Sequence, residues 1–161
     1  MKRIILSVIL TMAVGFVSAQ IDSFNGKKVR FVCDVSKVAA QFNQTKTNVY
    51  EQGGYVFIPA NKYKNTGSKG LLIFHDEFQD EYYAFDQECQ QCVHDGNKGH
   101  IYMKTEVTCR CSICGSEFQN ISLGSAQQTN KSGNYWLVQY ICYLKGNRLL
   151  VTNETIYDEL F

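Results

Sequence analysis

The sequence has no excess of charge of either sign: 16 Lys and Arg residues stand against 15 Asp and Glu residues, which leaves a net charge of +1. This balance, with 45% hydrophobic residues, excludes both a strongly basic nucleic-acid binder and a disordered, highly charged chain. Proline occurs once, and no apolar run reaches the roughly 20 residues that a membrane-spanning helix needs. The composition predicts a globular protein with no nucleic-acid partner and no stable membrane span.

The longest apolar run, Ile4 to Val17, follows the basic pair Lys2 and Arg3 and ends in the small-residue pattern V-S-A. A basic start, a short apolar stretch and small residues are typical of a secretory signal peptide. We therefore predict that residues 1–19 are removed and that residues 20–161 are exported, to the periplasm or the medium. No cysteine follows the predicted cleavage site, so a lipid-modified N-terminus is not expected.

The mature chain shows a regular alternation of short apolar runs and turn residues. Runs rich in Val, Ile, Tyr and Phe are separated by clusters of Gly, Asn and Asp, a pattern typical of β-strands. Apolar residues from Val35 to Phe42 have helical spacing, and Lys145 to Asn147 predict a hairpin turn. We expect a single all-β domain over residues 20–161, with strands at Val29–Cys33, Tyr55–Pro59, Leu71–His75, Tyr82–Phe85, Ile101–Thr108, Tyr135–Tyr143 and Arg148–Thr152.

Cysteine is abundant, and four of the seven cysteines form two C-x-x-C pairs. We call Cys89 and Cys92 the first knuckle, and Cys111 and Cys114 the second knuckle. A gap of two residues lets both sulfurs of a knuckle face one ion, and two knuckles complete a tetrahedron of thiolates. The spacing predicts a four-thiolate site for zinc or iron.

Disulfides are the alternative use of these cysteines, because thiols outside the cytoplasm tend to be oxidised. An odd total leaves at least one thiol unpaired in any scheme. Cys33, Cys109 and Cys142 lie outside the two knuckles. Cys33 and Cys142 fall within predicted strands, where a buried thiol behaves as a small apolar side chain. We assign no function to Cys33 and Cys142. Cys109, two residues before Cys111, can form a disulfide, substitute as a ligand or have no role.

Motifs around both knuckles follow a particular order. Ala84-Phe85-Asp86 ends a predicted strand shortly before Cys89, and residues 111–118 read C-S-I-C-G-S-E-F. These motifs resemble the two cluster-binding loops of the Rieske-type iron-sulfur domain. In that family a strand leads to a first loop C-x-H, and the second loop reads C-x-x-H-G-S-x-F. Cys114 stands where the family has a histidine.

The resemblance covers roughly Gly53 to Asn153, since the runs G-G-Y-V-F-I and G-L-L-I-F-H resemble the family's early strands. It implies a Rieske-like antiparallel sandwich with a small two-knuckle, zinc-ribbon-like metal subdomain at about residues 87–119. It also implies a possible 2Fe-2S cluster and a role in electron transfer. The whole of residues 20–161 is then one Rieske-like domain.

The ligands are where the sequence departs from the family, whose cluster uses two Cys on one iron and two His on the other. Both histidines are missing if Cys89 is the first ligand. A second register, Cys92-Val93-His94 followed by Cys111 and Cys114, offers three Cys and one His. This set resembles that of the three-Cys, one-His 2Fe-2S proteins, and it makes His94 an alternative ligand.

We predict an exported metal-binding protein in which a structural Zn²⁺ is held by Cys89, Cys92, Cys111 and Cys114. Zinc is preferred because it needs no cluster insertion and keeps thiolates from oxidation. The alternatives are a 2Fe-2S electron-transfer protein and a disulfide-stapled binding module without metal. No Ser-His-Asp group or phosphate-binding loop is apparent, so no enzyme is predicted. The expected partner is a protein of unknown identity.

Overall fold

The structure is a computed structural model and describes residues 27–44, 54–121 and 124–154. The predicted signal peptide, residues 1–19, lies outside the described residues. No helix in the described part of the chain is long and apolar enough to cross a membrane. The described elements, in chain order, are β1 (Arg30–Asp34), α1 (Val35–Gln44), β2 (Tyr55–Pro59), β3 (Gly70–Asp76), β4 (Glu81–Asp86), α2 (Gln90–His94), β5 (Ile101–Thr105), β6 (Thr108–Cys111), β7 (Glu117–Gln119), β8 (Gln127–Gln128), β9 (Gln139–Lys145) and β10 (Arg148–Thr152).

The strands form two antiparallel sheets. The larger sheet has the strand order β1-β10-β9-β4-β3-β2, and the smaller sheet has the order β5-β6-β7-β8. Strands β9 and β10 form the predicted hairpin: Lys145 pairs with Arg148 and leaves Gly146 and Asn147 as the turn. Gly146 has a φ of 57°, which suits the two-residue turns that match the twist of paired strands. The mostly β architecture is therefore confirmed.

Strand β3 determines how the two sheets pack. Leu72 and Phe74 belong to the hydrophobic core that includes strands of the smaller sheet. Leu71 and Ile73 belong to a second core with residues of α1, β1 and β10. Because side chains alternate between the faces of a strand, a strand covered on both faces must be apolar throughout. The smaller sheet consequently packs over one face of the larger sheet.

The structure divides and shortens some predicted strands. The single run predicted at Ile101–Thr108 is two strands, β5 and β6, joined at Glu106 and Val107. The strand predicted at Tyr135–Tyr143 begins only at Gln139. α2, β7 and β8 have five residues or fewer, too short for a hydrophobic period to be visible in the sequence. The smaller sheet thus extends past residue 119.

Asp86, at the end of β4, fixes the chain just before the first knuckle. Its Oδ2 accepts hydrogen bonds from the Tyr140 hydroxyl at 2.7 Å and from the Ser68 N–H at 2.8 Å. Its Oδ1 accepts one from the Glu88 N–H at 2.8 Å. Asp86 is fully buried, and a buried carboxylate is stable only with such donors. It therefore ties β4 to β9 and to the loop before β3.

Candidate metal centre

The first knuckle lies where β4 leads into α2. Cys89 is the residue before the helix, with an extended backbone (φ −76°, ψ 116°), and Cys92 lies in the first helical turn. The Val93 N–H donates to the Cys89 carbonyl oxygen at 3.0 Å. Residues three apart on a helical turn face the same side, so both sulfurs point into the core. Both residues are fully buried.

The second knuckle is the loop of a β-hairpin, because β6 ends at Cys111 and β7 begins at Glu117. The Gly115 N–H donates to the Cys111 carbonyl at 3.2 Å, and the Cys111 N–H donates to the Ser116 carbonyl at 2.8 Å. Gly115 has a φ of 71°, a conformation that other residues adopt only with strain. This tight loop places Cys114 beside Cys111.

The structure brings the four knuckle sulfurs together. All four Sγ atoms lie within 4.8 Å of one another. The closest pairs, Cys89 with Cys114 and Cys92 with Cys111, are each 3.6 Å apart. Thiolates about 2.3 Å from one tetrahedral ion would be separated by about 3.8 Å. None of the seven cysteines is in a disulfide, and each close pair joins one knuckle to the other.

Backbone N–H groups point at the sulfurs. The Ile113 N–H donates to Cys111 Sγ at 3.4 Å. The Cys92 N–H donates to Cys89 Sγ. The Ser116 N–H donates to Cys114 Sγ. Hydrogen bonds from N–H groups favour the thiolate over the thiol, and the thiolate is the form that binds a metal. The loops are therefore shaped to support charged sulfur.

Cys114 also has a buried side-chain partner. Ser116 Oγ lies 3.1 Å from Cys114 Sγ and accepts a hydrogen bond from Gln128 Nε2 at 2.8 Å. Because Gln128 donates to the Ser116 oxygen, the hydroxyl proton can point at the sulfur. Burial raises the pKa of Cys114, but bonds from the Ser116 hydroxyl and N–H and from neighbouring thiols lower it to about 6. The contacts with Ser116 thus favour the thiolate form of Cys114.

The two thiols of the first knuckle, Cys89 and Cys92, need a cation to ionise. Burial and the neighbouring thiols raise the pKa of Cys92 to about 11, and burial chiefly raises that of Cys89 still further. Several thiolates this close together repel one another. A divalent cation between them offsets both the burial and the repulsion, which is why metal binding releases thiol protons. The donor set therefore fits a metal ion.

Gly99 lies directly against two of the sulfurs. A β-carbon at this position would lie 2.5 Å from Cys92 Sγ and 2.6 Å from Cys111 Sγ, far inside van der Waals contact. The Gly99 carbonyl also accepts a hydrogen bond from the Cys89 N–H at 3.2 Å. The sequence predicted no role for Gly99, because its approach to the sulfurs arises only when the loop folds back on α2. Glycine is required here for space.

His94, the alternative ligand, lies outside the sulfur cluster. Its Nδ1 is 3.0 Å from Asp95 Oδ1, its side chain is 66% exposed, and its ring lies 5.5 Å from that of Tyr135. His94 is two positions after Cys92 on α2, and residues two apart do not share a helix face. The structure therefore does not bring together the set of three Cys and one His.

The remaining cysteines are separate from the cluster and from one another. Cys109 Sγ lies 3.2 Å from Met103 Sδ. Cys33 on β1 and Cys142 on β9 are separated by β10. Neighbouring strands are about 4.8 Å apart, so β1 and β9 are separated by about twice that distance. This separation exceeds about 7 Å, the largest distance between the Cα atoms of two disulfide-bonded cysteines. A disulfide between Cys33 and Cys142 is thus incompatible with this sheet.

Comparisons with protein-family models, with curated proteins and with solved structures gave no match to this chain. The Rieske-like resemblance therefore stays a prediction from the motifs. The geometry itself defines a coarser class, namely a mostly β protein whose buried four-cysteine cluster could bind a metal ion.

Proposed function

We propose that this chain is an exported metal-binding protein whose two knuckles hold one structural Zn²⁺. The observation that carries the proposal is the distance of at most 4.8 Å between any two of the four Sγ atoms. One tetrahedral ion fits such a set. Four protein ligands leave no open position for water or substrate, which is typical of structural rather than catalytic zinc.

The ion would connect two parts of the chain that would not be stable in isolation. α2 has five residues, and a helix of that length does not form in isolation. The loop of the second knuckle is short and largely exposed at Ile113. Because each close sulfur pair joins the first knuckle to the β6–β7 hairpin, one ion crosslinks both to the core of the smaller sheet.

A 2Fe-2S cluster agrees less well with this geometry. Its ligands divide between two irons, so sulfurs on different irons stand farther apart than sulfurs that share one ion. Here no sulfur pair is separated by more than 4.8 Å. The Rieske-like relationship is proposed only on the motif C-S-I-C-G-S-E-F and the strand before Cys89. The compact cluster supports a single ion.

Export is proposed from the sequence of residues 1–19. In an oxidising compartment, exposed thiols form disulfides, whereas a bound zinc ion keeps its thiolates reduced. The absence of disulfides among the seven cysteines is compatible with such protection. N-terminal sequencing of the exported chain tests this part: a mature protein beginning at Gln20 supports it, and a retained leader contradicts it.

Metal analysis tests the centre directly. We would purify the mature chain without added metal and measure zinc and iron per chain, the visible spectrum and the free thiols. One zinc per chain, no colour and a melting temperature lowered by chelator are expected. Cys89→Ser and Cys114→Ser should lose zinc, whereas Cys33→Ser, a matched change outside the cluster, should keep it.

Other results would replace the proposal. Two irons per chain with charge-transfer absorption would indicate the electron-transfer alternative. No metal together with few free thiols would indicate the disulfide-stapled binding module.

A further inference from the structure

A cavity of about 930 Å³ lies beside the metal centre, lined by β4, β9 and the segment 124–138. Its volume lies within the range of small-molecule pockets, about 300–1,000 Å³. Gln90, the residue after Cys89, contributes to the wall. The first knuckle thus serves both the sulfur cluster and this cavity.

Six aromatic residues contribute to the wall, of which Phe85 and Tyr140 are buried: Tyr82, Tyr83, Phe85, Tyr135, Trp136 and Tyr140. Trp136 is 41% exposed. The ring of Tyr83 lies so close to Gly124 that a β-carbon there would be 2.6 Å from it, and the Tyr83 hydroxyl donates to Glu81 Oε2 at 2.6 Å. The Tyr83 ring is therefore fixed in place, and the exposed Trp136 ring offers a flat apolar face to a ligand.

The charges of the wall select against anions. Asp80 and Glu81 line the cavity, and no Lys, Arg or His is present among the described lining residues. Amide side chains, those of Gln139 and Asn134, supply further hydrogen-bonding groups. A carboxylate or phosphate ligand would be repelled, whereas hydroxyl groups can donate to the acidic oxygens.

Gln90 has unmet hydrogen-bonding capacity. Its Nε2 is buried and has no hydrogen-bond partner within the part of the chain that the structure describes. A buried donor without an acceptor is unfavourable. Because Gln90 also lines the cavity, the oxygen of a ligand bound there can accept this hydrogen bond.

We infer that this cavity binds a neutral saccharide. A sugar ring combines an apolar C–H face, which packs on exposed aromatic rings such as Trp136, with oxygens that accept from Gln90 and hydroxyls that donate to Asp80 and Glu81. This function goes beyond the structural metal and needs no reaction at the sulfurs. The cavity is thereby a recognition site built partly on the first knuckle.

Trp136 provides the test, because it is the single tryptophan of the sequence and lines the cavity. The mature, metal-analysed chain is titrated with a panel of neutral di- and trisaccharides built from glucose, galactose, mannose and xylose. We expect a saturable change in tryptophan emission for at least one of them. Trigalacturonate, an anionic trisaccharide, should give none.

Variants localise the site. Gln90→Leu and Glu81→Gln should each weaken binding about tenfold, the loss expected for one hydrogen bond to the ligand. Tyr102→Ala, at an exposed ring on β5 outside the wall, should bind as the parent does. Metal content and melting temperature are recorded for each variant, so that failure of the metal proposal is recognised separately.

Three results would overturn the inference. The first is the absence of a saturable change with every neutral saccharide. The second is saturation with benzyltrimethylammonium but with no sugar, which would show that the aromatic wall selects cations. The third is unchanged binding in both cavity variants.

Discussion

The hydroxyl oxygen of Ser116 lies 3.1 Å from the sulfur of Cys114, and Ser116 is fully buried. Cys114 is the least buried of the four knuckle cysteines. Gln128 of β8, which is itself only 5% exposed, holds the hydroxyl in place by donating to its oxygen. The state of Cys114 therefore depends on a strand that lies outside both knuckles.

Ser116→Ala should lower zinc affinity about 10–100-fold, the usual effect of removing a hydrogen-bond partner of a ligand. The change removes the hydroxyl beside Cys114 and leaves the Gln128 amide only its longer hydrogen bond to Gln91 Oε1 at 3.5 Å. Competition with a zinc-binding dye measures the affinity. Ser112→Ala is the control, since Ser112 is exposed in the same loop and contacts His100. Equal affinities of the two variants would contradict the role of Ser116.

Gly99→Ala should disrupt the metal centre without adding any polar group. Its methyl group would overlap Cys92 Sγ and Cys111 Sγ, so either the sulfurs or the loop must shift. We expect reduced zinc per chain and a lower melting temperature.

Gly96→Ala is the control for this change. Space around Gly96 is open, but its φ of 72° makes alanine unfavourable by about 1–2 kcal/mol. Gly96→Ala should lose some stability and keep its zinc. Full zinc occupancy in Gly99→Ala would show that the sulfurs tolerate a closer neighbour than the structure indicates.

Local spacing explains why much of the centre could be predicted. The residues of each C-x-x-C pair are three positions apart, so a single turn brings their sulfurs together whatever the rest of the chain does. The contacts of Gly99 and Gln128 arise instead from residues distant in sequence, and nothing near them in the sequence indicates such contacts. The spacing Cys92-Val93-His94 makes His94 an alternative ligand, and the sequence does not show that a five-residue helix turns His94 away from the sulfurs.

The strands show the same division between local and distant causes. β2 and β10 lie where their β-branched and aromatic residues predicted them, because each pairs along its full length with a neighbour in the larger sheet. β7 and β8 have three and two residues and exist only through pairing, Phe118 with Gln128 and Gln119 with Gln127. Such strands have no pattern of their own.

Tyr140→Phe should destabilise the fold by about 1–3 kcal/mol, because the Asp86 carboxylate then loses one of its buried donors. Asp86 also receives the Glu88 N–H next to the first knuckle, so some loss of zinc affinity is expected as well. Urea unfolding of the metal-loaded chain measures the change. Tyr102→Phe, at an exposed tyrosine, is the control, and identical unfolding midpoints for both variants would contradict a structural role for this hydrogen bond.

Cys33 and Cys142 should resist alkylation in the folded protein at pH 8. Burial, with a smaller effect from Asp34, raises the pKa of Cys33 from 9.0 to about 11, and burial raises that of Cys142 to about 12. The thiolate is the reactive form, so reaction with iodoacetamide should be slow at pH 8 and accelerate as the pH approaches 11. Mass spectrometry of digested protein resolves the two sites, and the urea-unfolded chain gives the reference rate.

The same two thiols imply a pH dependence of stability with a definite sign. A thiol whose pKa is higher in the folded than in the unfolded state binds its proton more tightly when folded. The resulting stability is fully present below pH 9, the ordinary thiol pKa, and is lost as the pH rises through about 11 to 12. Cys33→Ser should therefore show a smaller fall in melting temperature between pH 9 and 11 than the parent. An equal fall, or folded-state alkylation at the unfolded rate, would mean that the Cys33 thiol is more accessible to solvent than its half-buried position against the core indicates.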